Sequence, residues 1–302
     1  MNQIIIGDGG MGTELALRGV KVPSHEDNIW SALSLIENAS VIKQIHLDFI
    51  DAGAEFIIAN NYAVTQPILK RANLSNRLEE LTLKSIEIAT EAIRESKKEV
   101  MLAASLPPLE TSYRPDMILD RTSMDTMYSE LAEILEGNID IIICETMSHS
   151  KEAMSALSSI QNSKSEKWLG WTVYGHQNTL PSGETITEAF NAISDLNCDA
   201  YLINCGGANL ITEGIKELKT LTNARIGGYG NSEKIEISNK DRTDRPEEDH
   251  WASATAINEK EYAREVQVWV EEGATIVAGC CRTCLLYTSD AADEEDSVDL
   301  GG

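Results

Sequence analysis

A (β/α)8 barrel is the architecture this sequence predicts, on three observations. Short apolar runs alternate with longer segments of helical spacing through the chain. Its 302 residues suffice for one such barrel, which takes roughly 250. Polar residues with chemistry to offer, Asp8, Asn60, Asn61, Glu145, Cys205, Asn231, Cys280 and Cys281, fall at the carboxyl ends of the apolar runs, where barrel enzymes place their active sites. The alternative, an open doubly wound sheet, would not gather the ends of the first, sixth and eighth strands round one axis as naturally.

The elements follow in order. Residues 4–6 form the first apolar run and stop at Gly7-Asp8-Gly9-Gly10-Met11-Gly12. Residues 41–52 carry apolar side chains at 41, 42, 45, 49 and 50, a helical spacing that Gly53 ends. Residues 56–59 are the second strand, and 75–97 an amphipathic helix. A third strand over 100–104 ends at Ser105-Leu106-Pro107-Pro108, and a helix over 122–136 precedes a fourth strand at 139–144. Helices over 150–160, 185–196 and 209–221 then alternate with strands over 168–174, 200–204 and 224–228. A charged loop over 232–249, containing Pro246, leads to a helix over 259–271 and an eighth strand over 275–278.

From Cys284 onward no helical apolar stripe appears where a closing helix is due. Residues 284–302 hold six acids and no base, a composition expected to stay disordered. Residues 284–293 also read, without a gap, as the translation of a string that resembles a transposon sequencing adapter. The expected division is therefore a barrel over 1–283, lacking its last helix, and a non-native acidic tail over 284–302.

Composition removes several function classes. With 42% hydrophobic and 25% charged residues the chain is ordinary globular material. Its net charge of −24 repels nucleic acid and anionic membrane. No apolar run approaches the ~20 residues of a membrane span, and no basic segment followed by an apolar one opens the chain. A cytoplasmic location is expected, where the six cysteines stay free, catalytic or metal-bound. Nothing here sets an oligomeric state.

Two cysteine motifs stand out: Asn204-Cys205-Gly206-Gly207 after the sixth strand and Gly279-Cys280-Cys281-Arg282-Thr283 after the eighth. Neighbours on a strand point to opposite faces, so an adjacent pair makes more sense where the chain turns. Cys205, Cys280 and Cys281 at one barrel mouth would offer three thiolates and an open fourth position, the pattern of a catalytic zinc site. The plainer alternative is buried thiols brought together by chance. A thiolate-rich zinc holds a further thiol and lowers its pKa, which suits sulfur attack on an activated methyl group. Cys144 follows three isoleucines and packs as a small hydrophobe, and Cys198 has no partner at ligand spacing.

The segment Gly7-Asp8-Gly9-Gly10-Met11-Gly12-Thr13-Glu14-Leu15 with Arg18-Gly19 resembles the opening of the homocysteine S-methyltransferase family. Trp30-Ser31-Ala32, His46 with Asp51-Ala52-Gly53-Ala54, and Asn60-Asn61-Tyr62 resemble its next blocks. Asn204-Cys205-Gly206 and Gly279-Cys280-Cys281 resemble its zinc motifs. The resemblance spans about residues 4–283. It implies a zinc-dependent (β/α)8 methyltransferase that forms methionine from homocysteine, with Cys205, Cys280 and Cys281 as ligands and catalytic groups. It makes Asp8 and Glu145 substrate contacts, Glu145 for the ammonium. Asn61 and Tyr62 are candidates for the methyl donor, and Asn231 for the open metal position. The expected donor is a sulfonium, S-methylmethionine or S-adenosylmethionine. A betaine donor, or a non-catalytic barrel that senses sulfur metabolites, are the alternatives. A methylcobalamin or folate donor would need domains that the chain has no length for. The glycine-rich opening lacks a P-loop lysine, so phosphate binding is disfavoured.

Overall fold

The computed structural model describes residues 3–23, 29–173, 179–235, 254–285 and 287–288. The sheet is built from β1 (Ile5–Ile6), β2 (Phe56–Ile58), β3 (Met101–Leu106), β4 (Ile141–Met147), β5 (Glu166–Trp171), β6 (Ala200–Gly207) and β7 (Arg225–Asn231). After a small antiparallel pair, β8 (Glu233–Ile235) and β9 (Ala254–Ala256), β10 (Ile276–Gly279) completes it. These eight strands are parallel, in the order β1-β10-β7-β6-β5-β4-β3-β2. Gly7 closes the ring by a parallel bridge to Phe56. Glu55 N donates to Ile6 O at 2.7 Å and Asp8 N to Phe56 O at 3.2 Å across that seam. A Cβ at residue 7 would lie 2.3 Å from Phe56 Cζ, so only glycine lets the first and second strands meet. The (β/α)8 barrel predicted above is the observed fold.

Ten described α-helices surround the strands: α1 (Met11–Leu17), α2 (Leu33–Glu37), α3 (Ala39–Asp51), α4 (Gln66–Arg71), α5 (Leu78–Ser96), α6 (Arg121–Leu135), α7 (Ser150–Ser159), α8 (Ile186–Ala192), α9 (Ala208–Leu221) and α10 (Glu259–Glu271). Local chemistry sets their starts. Asp120 caps α6, and Thr185 with Glu188 and Asn258 with Glu261 form capping boxes on α8 and α10. α1, α2 and α4 escape the periodicity argument because each is too short for a stripe to repeat.

Two apolar layers result, as barrels require. Between sheet and helices lies the larger core, including Ile42, Phe49, Leu131, Ile211 and Trp269. Inside the barrel, Phe56, Ile141, Ile143, Trp168, Leu202 and Ile276 fill the axis. Trp168 meets Phe56 edge-on at 5.2 Å and carries the Arg225 guanidinium 5.7 Å from its ring centre. Arg225 and Glu166, which are paired, are the first residues of their strands. The barrel is thus plugged at its amino end, and the carboxyl end is the one left to bind ligands.

His46 lies fully buried on α3, and burial lowers its pKa to about 4. It packs as a neutral core residue. The end of the expected fifth strand at Tyr174 and residues 236–249 of the charged loop lie outside the described residues, as do 289–302 of the acidic tail. The described residues past Thr283 rest on the barrel. Leu285 N donates to Glu14 Oε1 at 3.0 Å, and Tyr287 packs edge-on against Tyr262 with its hydroxyl on Ile257 O.

Candidate metal centre and active site

β4 and β6 run further than their apolar content predicts, and each is irregular at its carboxyl end. Register shifts fall between Cys144 and Met147 on β4 and between Asn204 and Gly207 on β6. Thr146 and Cys205 occupy them with left-handed backbones, φ +59° and +54°. Such irregularities re-aim side chains at barrel rims. Here they bring Glu145 and Cys205 to the same cavity. Asn204 ties the two together, its Oδ1 accepting from Thr146 N at 2.9 Å and its Nδ2 donating to Thr146 Oγ1 at 2.8 Å.

Cys280 and Cys281 follow β10 in a turn that Arg282 completes at φ +64°. The sulfurs of Cys205, Cys280 and Cys281 all lie within 4.8 Å of one another, and Cys205 Sγ is 3.9 Å from Cys281 Sγ. A sulfur pair on one tetrahedral zinc stands about 3.8 Å apart, given Zn–S bonds of about 2.3 Å, whereas a disulfide needs about 2.0 Å. The spacing therefore fits a shared cation and not a bond between sulfurs. Proximity of the Cys205 and Cys281 sulfurs, with burial, holds the Cys280 thiol well above its ordinary pKa. Three thiolates so close need a cation to ionise together.

The turn is braced from β7 and β8. Cys281 N donates to Asn231 Oδ1 at 3.2 Å, and Asn231 Nδ2 donates to Glu233 Oε1 at 3.1 Å. Arg282 Nη1 donates to the other oxygen of Glu233 at 2.7 Å. Ser232 N donates to Cys281 O and Ser232 Oγ to Arg282 O. Both ends of the Asn231 amide are thereby used in holding the turn, and Asn231 does not line the cavity.

The cavity over this end of the barrel measures about 300 Å³, with Asp8, Trp30, Tyr62, Tyr113, Glu145 and the three cysteines among its walls. Asp8 is buried and its Oδ2 accepts from Ile58 N at 2.9 Å. Burial, reinforced by the Glu145 charge, raises its pKa well above the ordinary carboxylate value. Glu145 accepts from Ser105 Oγ and, at 3.0 Å, from Tyr229 OH. Burial still lifts its pKa to about 7. No lysine, arginine or histidine is among the cavity's described walls. Two carboxyl groups without a basic partner suit a cationic ligand group.

Tyr62 lines the cavity, bonded through its hydroxyl to Ser112 Oγ at 2.6 Å and edge-on to Trp30 at 6.0 Å. Asn61 does not. It is fully buried, with Nδ2 donating to Ser105 O and Oδ1 accepting from Ser105 N. It fixes Ser105, which in turn holds Glu145. Asn60, its neighbour, does reach the wall and exchanges two hydrogen bonds with Ser31.

A family model described as Homocysteine S-methyltransferase matches residues 5–287. The chain belongs to the homocysteine S-methyltransferase family. Homocysteine S-methyltransferase 1 of Arabidopsis thaliana is 26% identical over 91% of this chain and 88% of its own length. Selenocysteine Se-methyltransferase of Brassica oleracea var. italica is 27% identical over 91% of this chain and 84% of its own. The metallated form of the homocysteine methyltransferase MmuM from Escherichia coli superposes with a TM-score of 0.80, at 22% identity over 97% of this chain and 96% of that one. That structure has the same fold.

In this methyltransferase several cavity residues had no sequence signal that periodicity could detect. Trp30 sits in a short 3-10 turn at φ +43°, Tyr229 faces inward from β7, and Tyr113 comes from the loop after β3. Tyr229 lies between glycines in a run too short to show its facing. Nothing in the residue types or spacing of Ser112-Tyr113-Arg114-Pro115 singles out Tyr113. No described helix is long and apolar enough to cross a membrane.

Proposed function

We propose that the protein transfers a methyl group from a sulfonium donor, S-methylmethionine or S-adenosylmethionine, to the thiol of homocysteine, with zinc held by Cys205, Cys280 and Cys281. The observation that carries this reading is the convergence of three sulfurs within 4.8 Å on a cavity whose walls also hold two buried carboxyl groups. When bound, the zinc supplies a positive centre that lowers the pKa of a thiol beside it.

The chain's own residues do the rest. Glu145 and Asp8 bind the homocysteine ammonium, and the ion pair forms where burial has made both carboxylates costly to leave alone. Ser105 and Tyr229 aim the Glu145 carboxylate, and Asn61 acts through Ser105. Trp30 and Tyr62 present aromatic surface to the sulfonium, which cation–π attraction favours. The homocysteine thiol releases its proton to solvent as it binds, its sulfur then forms the new S–CH3 bond, and the old S–CH3 electron pair returns to the donor sulfur. Thiolate and sulfonium charges cancel as the methyl moves, so alignment of the two substrates is what the barrel contributes.

The test is methionine formation from homocysteine with S-methylmethionine, S-adenosylmethionine or betaine, together with metal analysis. One zinc per chain and methionine from a sulfonium donor are expected, and Cys205→Ala, Cys280→Ala and Cys281→Ala each lose both. Full turnover by the zinc-free triple variant, or homocysteine binding without methionine from any sulfonium, would overturn the reading.

A further inference from the structure

The loop after β3 is fastened across the barrel mouth at several points before it reaches the sulfurs. Leu109 N donates to Glu152 Oε1 at 3.0 Å, and Thr65 Oγ1 donates to Leu109 O at 2.7 Å. Arg71 pairs with Glu110, and Ser112 is bonded to Tyr62. The next residue, Tyr113, turns inward with a left-handed backbone, φ +60°, a conformation unusual for a bulky side chain. Its hydroxyl lies 2.7 Å from Cys205 Sγ and 2.8 Å from Cys205 O. Cys205 is itself left-handed. Two residues with disfavoured backbones, 92 positions apart, thus meet at one sulfur.

We infer that Tyr113 is a positioning residue of the metal centre, whose hydroxyl donates a hydrogen bond to the Cys205 sulfur and sets both its place and its electron donation. This rests on the three-thiolate metal reading above. A phenol has one proton to give. A Cys205 sulfur held as a thiolate by a metal is a charged acceptor, which the Cys205 carbonyl is not, and bonds to charged acceptors are the stronger. Partners outside the ligand set orient ligands and tune the metal, and their loss typically costs 10–100-fold in affinity or activity. The anchored loop makes the partner a fixed part of the site, since Leu109, Glu110 and Ser112 are all held before Tyr113 is reached.

The experiment loads the full chain with Co2+ alone and compares wild type with Tyr113→Phe and Tyr113→Leu. Phenylalanine keeps the ring and removes only the oxygen. In both variants the thiolate-to-cobalt absorption band is expected to move to longer wavelength, because the Cys205 sulfur regains density. Affinity for Co2+, measured against a competing chelator, is expected to fall about 10–100-fold. A band and affinity unchanged in Tyr113→Phe overturn the inference. So does a change confined to Tyr113→Leu, which would trace the effect to ring packing. If wild type itself takes up no Co2+, the metal reading fails first, and this inference with it.

Discussion

Replacing Glu145 by glutamine should flatten the protein's pH dependence of stability while weakening homocysteine binding. In the folded chain the Glu145 carboxyl is buried and its pKa stands at about 7 in place of the ordinary 4.5. A carboxyl group whose folded pKa is raised binds more protons in the folded state than in the unfolded state between those two values. Stability from this group is therefore fully present below about pH 4.5 and is lost as pH rises through about 7. At about 1.4 kcal/mol per pKa unit the full loss is about 3 kcal/mol, and about 2.5 kcal/mol of it falls between pH 5 and pH 8. The measurement is urea denaturation of metal-free, homocysteine-free protein at pH 5 and pH 8. Wild type should lose stability over that interval, and Glu145→Gln should lose about 2.5 kcal/mol less. Part of the slope should persist in the variant, because burial also raises Glu152 to about 7 and Asp8 well above its ordinary value. Homocysteine should stabilise wild type more than the variant at pH 8, where an ammonium meets a carboxylate. Identical pH slopes in the two proteins would refute the argument that burial of this carboxyl group creates the site's demand for a cation.

Three further outcomes follow from the packing. Glu233→Ala should destabilise by about 1–3 kcal/mol, since it strips a buried acceptor from Asn231. Glu233→Gln should recover part of that, and metal content should fall more in the alanine variant, as urea midpoints and elemental analysis would show. Gly227→Ala would place a Cβ 2.1 Å from Ile276 O, a backbone atom that cannot rotate away. It should cost more than about 3 kcal/mol, visible as loss of soluble protein or a sharply lowered urea midpoint. Trp168→Ala, at a fully buried position on the barrel axis, should cost about 3–5 kcal/mol by the same denaturation assay.

The barrel was legible because parallel strands buried on both faces must be near-continuous apolar runs, and Ile141-Ile142-Ile143 is such a run, too short for a helix and alternating with segments of helical spacing. Strand ends were less so. β4, β6 and β7 continue through Glu145-Thr146-Met147, Cys205-Gly206-Gly207 and Tyr229-Gly230-Asn231, where the polar or glycine content conceals pairing that the neighbouring strands impose. Short helices were missed for a different reason. α1 begins in a glycine-rich stretch whose propensity opposes a helix, and contact with the barrel overrides it.

At the site, residue chemistry was legible and residue direction was not. A cysteine pair after a strand, matched with a distant Asn-Cys-Gly-Gly, announces its use because few other roles need thiols at two strand ends. Asn61 and Asn231 look equally suited to touch a ligand, yet each has both ends of its amide engaged in the wall, Asn61 on the Ser105 backbone and Asn231 on Cys281 N and the Glu233 carboxylate. That difference arises from how β2 meets β3 and how β7 meets the turn after β10, pairings between residues 44 and 50 positions apart. Tyr113 is the converse case, an aromatic residue in an ordinary loop that packing carries to the Cys205 sulfur. The polar groups around this centre therefore divide into those that meet the ligand and those that hold the residues that do. The division follows direction: the Asn61 and Asn231 amides are turned into the wall and do not line the cavity, whereas Glu145, held by Ser105 and Tyr229 and raised to about 7 by burial, lines it and offers a charge for a ligand to neutralise.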